Sequence, residues 1–266
     1  ANTNMQQWDN NGQSCDKWQL IPYSQVTANQ NNNNTSSSNE KYCGKRVVGY
    51  FPTYRYATVN SVDFSAMTHC LLSFALYANG NVYFQDFSAD QIRNVVNKCH
   101  AGNTKILLAI GGWNGFQNDG AFSTAAKRTA FVNQVMNYVN TYGFDGVDLD
   151  IELNDADIWN NIDALLSELK SALNGKLVTM ALSTWFSNGI PNSAYQKLDF
   201  INLMSYDYNQ NGTGDHAPWQ QIYDMVGYYR ARGVSDDKMT IGVPFYGYST
   251  SGAKTFGEIV GWDAAN

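Results

Sequence analysis

The chain has 266 residues, 44% hydrophobic and 15% charged, which is enough apolar content for a sizeable core. Its net charge of −6 argues against a nucleic-acid or anionic-membrane surface and fits a neutral partner. No apolar stretch reaches the roughly 18–20 residues that a membrane-spanning helix needs, and no signal peptide is visible.

The chain opens at Ala1 rather than Met, so an upstream segment is expected to have been removed or left out. Residues 1–24 form a short head. Residues 25–42, QVTANQNNNNTSSSNEKY, have almost no apolar content and cannot offset their own ordering entropy, so they read as a flexible tether. Residues 43–266 form the body. Its β-rich apolar runs are 46–51, 68–77, 105–112, 144–152, 176–183, 199–207 and 239–247. Helical spacing links them. In 124–142, Phe131, Val135, Tyr138, Val139 and Tyr142 recur at three- and four-residue steps, and in 155–173 Ile158, Ile162, Leu165, Leu166 and Leu169 do the same. Asn154 or Asp155 is the N-cap of the second helix and Asn174-Gly175 its stop. Residues 88–100 and 218–232 are weaker helices.

Apolar strands alternating with helices imply parallel strands covered by helices. Seven strands with crossovers predict a (β/α)8 barrel that stops before its eighth strand; a doubly wound open sheet is the alternative, weakened because no GxGxxG follows any strand. Two unpaired edges would remain, so the chain is expected to be a fragment of a longer gene product, poorly stable and with little activity alone. Four cysteines, none in a CxxC pair, and three histidines argue against structural zinc. Cys70 begins the second strand and Cys99 ends the following helix, near one face of the barrel, which suggests a bridge between them. Cys15 has no evident partner.

The stretch FDGVDLDIE, 144–152, carries Asp148, Asp150 and Glu152 two residues apart, with Val147, Leu149 and Ile151 between. On a strand the acids share one face and the aliphatics the other. Neighbouring carboxylates raise one another's pKa, so Asp150 would leave Glu152 protonated and usable as a general acid at a strand end. Alternating acids also hold Mg²⁺ or Ca²⁺, and a solvated edge strand is a third reading. Spacing alone leaves all three open, although the interleaved aliphatics suit an internal strand. Aromatics make up 14% of the chain; such rings stack on sugar faces, and they also fill cores.

Asp145, Gly146, Asp148, Asp150 and Glu152 match the DGxDxDxE signature of family 18 glycoside hydrolases, the chitinases. AIGGW (109–113), with Ala109 in place of Ser, LMSYD (203–207), GVPFYG (242–247) and VGYFPTY (48–54) resemble the family's other strand marks, in order. The resemblance implies a secreted, monomeric enzyme acting on chitin or chito-oligosaccharides, probing neither nucleic acid nor membrane and needing no cofactor or metal. It implies that Glu152 protonates the glycosidic oxygen, Asp150 orients the substrate's acetamido group, Asp148 holds Asp150, and Tyr206 bonds the acetamido oxygen. By motif position, Tyr50, Phe74, Trp113, Met204 and Tyr246 line the sugar groove, and Asp207 contacts sugar or shapes the site. Barrel packing is the competing role for Tyr50 and Phe74, and helix capping for Asp207. Many relatives place Arg where Tyr248 stands here, and the missing eighth strand would carry a Trp beneath the reacting sugar. No large insertion follows the seventh strand, which implies an open cleft and endo cutting. An endo-β-N-acetylglucosaminidase acting on N-glycans and a non-catalytic sugar-binding relative are the alternatives; Glu152 counts against the last. Residues 4–22, with Gln6-Gln7-Trp8 and KWQL (17–20), resemble the end of a ricin-type β-trefoil lectin repeat.

Overall fold

A computed structural model describes residues 44–186 and 189–263. The head and tether, 1–24 and 25–42, and with them the lectin-repeat reading and Cys15, lie outside the described residues. The chain divides into two units, of which Val48–Asn266 is described here.

In chain order this unit runs β1 (Val48–Pro52), β2 (His69–Ala78), β3 (Asn81–Tyr83), α1 (Ala89–Ala101), β4 (Lys105–Gly111), α2 (Ala125–Tyr142), β5 (Gly146–Asp150), α3 (Ala156–Leu173) and β6 (Leu177–Leu182). It continues through α4 (Asn192–Lys197), β7 (Phe200–Leu203), α5 (Trp219–Arg230), β8 (Met239–Ile241), β9 (Tyr246–Ser249), β10 (Gly252–Thr255) and α6 (Phe256–Asp263). Seven strands pair in the order β1-β2-β4-β5-β6-β7-β8, all parallel. This is the (β/α)8 pattern with seven barrel strands among the described residues, and β1 and β8 at its edges. Ile241, Val243 and Phe245, on and after β8, are exposed, as an uncovered edge requires.

Alternation along the strands explains both faces. Ile106, Leu108 and Ile110 of β4 join the large core shared with the helices, whereas Leu107 and Ala109 turn the other way and pack with Leu71. Val147 and Leu149 of β5 belong to the helix-side core, with Ile158, Ile162, Leu165, Leu166 and Leu169 of α3. Each such side chain contributes about 1.5–3 kcal/mol by leaving water, and that offsets the cost of burying acids on the opposite face of β5. The helices start where their caps are. Asp155 accepts from the Asp157 N–H and Asn174 ends α3 in the left-handed region; Ser88 and Gln91 form a reciprocal capping box at α1.

Several boundaries differ from the sequence expectation. β5 ends at Asp150, so Glu152 lies just past it. The run 199–207 is a strand only over Phe200–Leu203, leaving Met204, Tyr206 and Asp207 in the following loop. The run 239–247 breaks in two: Pro244 has no N–H for a ladder, and Tyr246 begins β9, which pairs antiparallel with β10. This hairpin, β3, α4 and α6 were not anticipated. Cys70 and Cys99 do meet, and the hydrogen bond with Cys99, then burial, raise the Cys70 pKa, but both are free thiols, so the expected bridge is absent.

Candidate active site

β5 places its acids through register. Asp148 lies between Ala109 of β4 and Thr179 of β6, and Asp150 between Gly111 and Ala181. Asp148 is fully buried. One of its oxygens accepts from Thr179 Oγ1 at 2.5 Å and Asn202 Nδ2 at 3.0 Å, the other from the Tyr50 hydroxyl at 3.2 Å. Thr240 Oγ1 donates to the Asn202 carbonyl at 2.6 Å, which fixes the amide's orientation. Donors from β1, β6 and β7 thus converge on one carboxyl. Burial still pushes Asp148 up to about 6, against these hydrogen bonds. Three donors engage the Asp148 carboxyl, and among the described residues no cluster of three or more His, Cys, Asp or Glu is placed to hold a metal.

Asp150 is almost as buried, and its Oδ1 has no hydrogen-bond partner. Burial, then the charges of Glu152 and Asp148, raise its pKa well above the carboxylate range. Glu152 is partly exposed. Burial pushes it up to about 7, with a second contribution from the charge of Asp207. The expected repulsion between Asp150 and Glu152 is present, and a second acid that the sequence did not indicate, Asp207 from the loop after β7, also raises Glu152. Sequence proximity hid this because β6 separates the two strands in the sheet.

Tyr206 is partly buried, and burial together with the acids Asp150, Asp207, Glu152 and Asp148 raises its pKa, so it stays a donor. Its ring lies edge-on to Tyr246 at 6.3 Å. Asp207 sits at φ 65°, in the left-handed region. Its Oδ1 accepts from the Tyr246 hydroxyl at 2.6 Å and the Tyr248 hydroxyl at 3.1 Å. It therefore caps no helix; its contacts face the acids and the tyrosines. Tyr50 and Phe74 lie 6.1 Å apart, and Phe74 also packs on Leu71, Leu107 and Ala109, so it serves the inner barrel as well. Trp113 is 72% exposed, 6.4 Å from Phe186. Met204 is partly buried, its N–H bonded to Leu182 O.

The glycines before Trp113 are dictated by close approach. A Cβ on Gly111, at φ 115°, would lie 1.9 Å from the Asp150 carbonyl oxygen, and one on Gly112, at φ 79°, 2.7 Å from the Phe74 ring. The Gly112 N–H bonds that same Asp150 carbonyl at 2.9 Å.

Sequence reasoning missed Thr179, Asn202, Thr240 and His216. Thr179 and Asn202 carried a signal, a lone polar side chain inside an apolar strand; His216 carried none. Exposed rings also went unassigned: Trp185 lies 6.5 Å from Tyr208, and Trp219 lies 6.4 Å from Tyr223.

Comparison with known proteins agrees with this layout. The chain is 29% identical over 239 residues to Chitotriosidase-1 of Mus musculus, covering 75% of this chain and 51% of that protein. It is 30% identical over 244 residues to Chitinase 1 of Aphanocladium album, covering 73% and 58%. The chain thus spans about half the length of the curated relatives it matches. The solved GH18 chitinase ChiB from the chitin utilization locus of Flavobacterium johnsoniae superimposes with a TM-score of 0.71 at 27% identity, over 82% of this chain and 75% of that one. The model for glycosyl hydrolases family 18 matches residues 46–264, nearly the whole described unit, and the chain belongs to that family.

Proposed function

We propose that this chain is the catalytic part of an endo-acting chitinase, hydrolysing β-1,4 bonds between N-acetylglucosamine units with retention at the anomeric carbon. The observation that carries it is a partly exposed Glu152 whose pKa stands near 7, above two buried carboxyls. Family 18 departs from the two-carboxylate scheme by using the substrate's own amide as nucleophile. In this reading the Glu152 proton passes to the glycosidic oxygen as the C1–O bond breaks. The acetamido carbonyl oxygen bonds to C1, giving an oxazolinium ion. Asp150, with a buried oxygen that no protein group satisfies, accepts the acetamido N–H and stabilises the positive charge. Asp148 and its three donors hold Asp150 from below. The Tyr206 hydroxyl donates to the acetamido oxygen. Glu152, now a carboxylate, takes a proton from water as the water oxygen bonds to C1 and the ring opens. No step needs a metal or cofactor.

Tyr50, Phe74, Trp113, Met204, Asp207 and Tyr246 line the groove in this reading, with the exposed face of Trp113 stacking on a sugar ring. The names of the relatives, Chitotriosidase-1 and Chitinase 1, support chitin as the substrate class. An insoluble polymer cannot enter a cell, so the enzyme works outside it, as a monomer whose groove faces the chain.

The test gives the full-length gene product chito-oligosaccharides and, separately, a high-mannose glycopeptide, beside a Glu152→Gln control. Cleavage of the oligomers at internal bonds, lost in the control, is the expected result. Cleavage of the glycopeptide alone points to an endo-β-N-acetylglucosaminidase, binding without cleavage to a lectin, and either outcome overturns the proposal.

A further inference from the structure

The three donors to Asp148 are not equivalent. The Thr179 and Tyr50 hydroxyls can turn from donating to accepting. Thr179 Oγ1 has a second, weaker acceptor for its own proton in the Val147 carbonyl oxygen at 3.5 Å. A proton on the carboxyl can therefore be met by either hydroxyl. The Asn202 Nδ2 group cannot reverse, because it only donates. Its 3.0 Å contact falls on Asp148 Oδ1, the oxygen that also accepts from Thr179, whereas Oδ2 accepts from Tyr50.

Turned over, the Asn202 amide would set its carbonyl oxygen against Asp148 Oδ1. Two acceptors would then meet unless Oδ1 carried a proton. Amide orientation and protonation of Oδ1 are thus a single choice, and Thr240 makes it. Thr240 and Asn202 are register partners across the β7–β8 ladder. Thr240 Oγ1 lies 2.6 Å from Asn202 Oδ1, against 3.2 Å from the Ile201 carbonyl oxygen, so the hydroxyl proton goes to the amide. The amide oxygen then has its donor, and the amide nitrogen is left facing Asp148. Other groups offer no substitute. The Asp148 charge reaches Tyr50, Asp150 and Tyr206, all of them acids. β4 and β6 set Ala109 and Thr179 beside it, neither ionisable. Burial raises its pKa, and hydrogen bonds alone lower it, from Thr179, Tyr50 and Asn202.

We propose that Thr240 is a positioning residue of this site: acting through Asn202, it closes one oxygen of Asp148 to protonation and confines any proton on that carboxyl to the oxygen facing Tyr50. Beneath Asp150, Asp148 then keeps Oδ1 as a fixed acceptor and exchanges its proton at Oδ2 alone. The part this plays in catalysis rests on the proposed hydrolase reading; the relay itself does not. Without the Thr240 hydroxyl, the amide oxygen loses its donor and gains one only by turning to a protonated Asp148, so the carboxyl holds its proton to higher pH.

The test follows the Asp148 carboxyl carbon by ¹³C NMR and the Asn202 side-chain amide by ¹⁵N–¹H NMR across pH, in full-length wild type, Thr240→Val and Thr240→Ser. Valine keeps the shape and removes the hydroxyl; serine restores it. In Thr240→Val the Asp148 midpoint is expected to rise from about 6 by about half to one pH unit, the worth of one hydrogen bond. Thr240→Ser should return it to the wild-type value, and the wild-type amide protons should titrate together with Asp148. A midpoint unchanged or lowered in Thr240→Val, a serine variant that behaves like valine, or wild-type amide protons indifferent to Asp148 overturns the proposal. If Thr240→Val does not fold, Thr240→Ala, which removes the same hydroxyl, takes its place with the same expected rise. If the wild type cleaves no chito-oligosaccharide while the Asp148 midpoint depends on Thr240, the relay stands and the hydrolase reading fails; cleavage with a midpoint indifferent to Thr240 sinks the relay alone.

Discussion

Asp207→Asn is the sharpest probe of how the acid is poised. Glu152 rises from 4.5 to about 7, with burial the larger cause and the Asp207 charge the smaller. Of the rise of roughly 2.5 pH units, Asp207 therefore accounts for less than half, on the order of one unit. Asparagine keeps the shape and removes the charge. The alkaline limb of kcat/KM reports the acid of the free enzyme, so it should fall from near pH 7 towards about pH 6. A pH–rate series on a soluble chito-oligosaccharide reads this directly. A limb unmoved in Asp207→Asn, or moved upward, would refute the assignment.

Other consequences follow from the same geometry. Since the folded pKa of Glu152 is raised, the stability linked to its proton is present below about pH 4.5 and is lost as pH rises through about 7; Glu152→Gln, always neutral, should be more stable than wild type by about 1–2 kcal/mol at pH 8, after discounting for solvent screening, and no more stable at pH 4, as read by urea unfolding. Gly111→Ala forces a Cβ to 1.9 Å from the Asp150 carbonyl at a positive φ, so soluble yield should collapse or unfolding free energy should drop by about 3 kcal/mol or more. Trp113→Ala should leave the melting temperature unchanged, because the ring is 72% exposed, while weakening oligomer binding about 5- to 30-fold by calorimetry.

What could be read from the sequence was whatever repeats at short range. The two-residue alternation of 144–152 placed Asp148 and Asp150 on one face of β5, with Glu152 just past its end, and the 3.6-residue spacing of 155–173 placed α3 almost to the residue. Contacts across the barrel had no such signal. Nothing near Glu152 in the chain points to Asp207, which reaches it only because β6 and β7 line up beside β5. Tyr246 looked like the end of a strand; Pro244 breaks the ladder, and Tyr246 and Tyr248 lie on a hairpin strand, where their hydroxyls meet Asp207. α4 spans six residues, too few for a periodic pattern to stand out. The inward polar residues Thr179 and Asn202 were visible as exceptions in apolar runs, but their common target, Asp148, appears only once the strands are in register.

The account turns on Glu152 still holding its proton near neutrality. Titrating its carboxyl carbon by ¹³C NMR, in the substrate-free full-length protein, tests this directly. A midpoint near pH 7 is the predicted result; a midpoint at or below pH 4.5, that of an ordinary exposed glutamate, would contradict it.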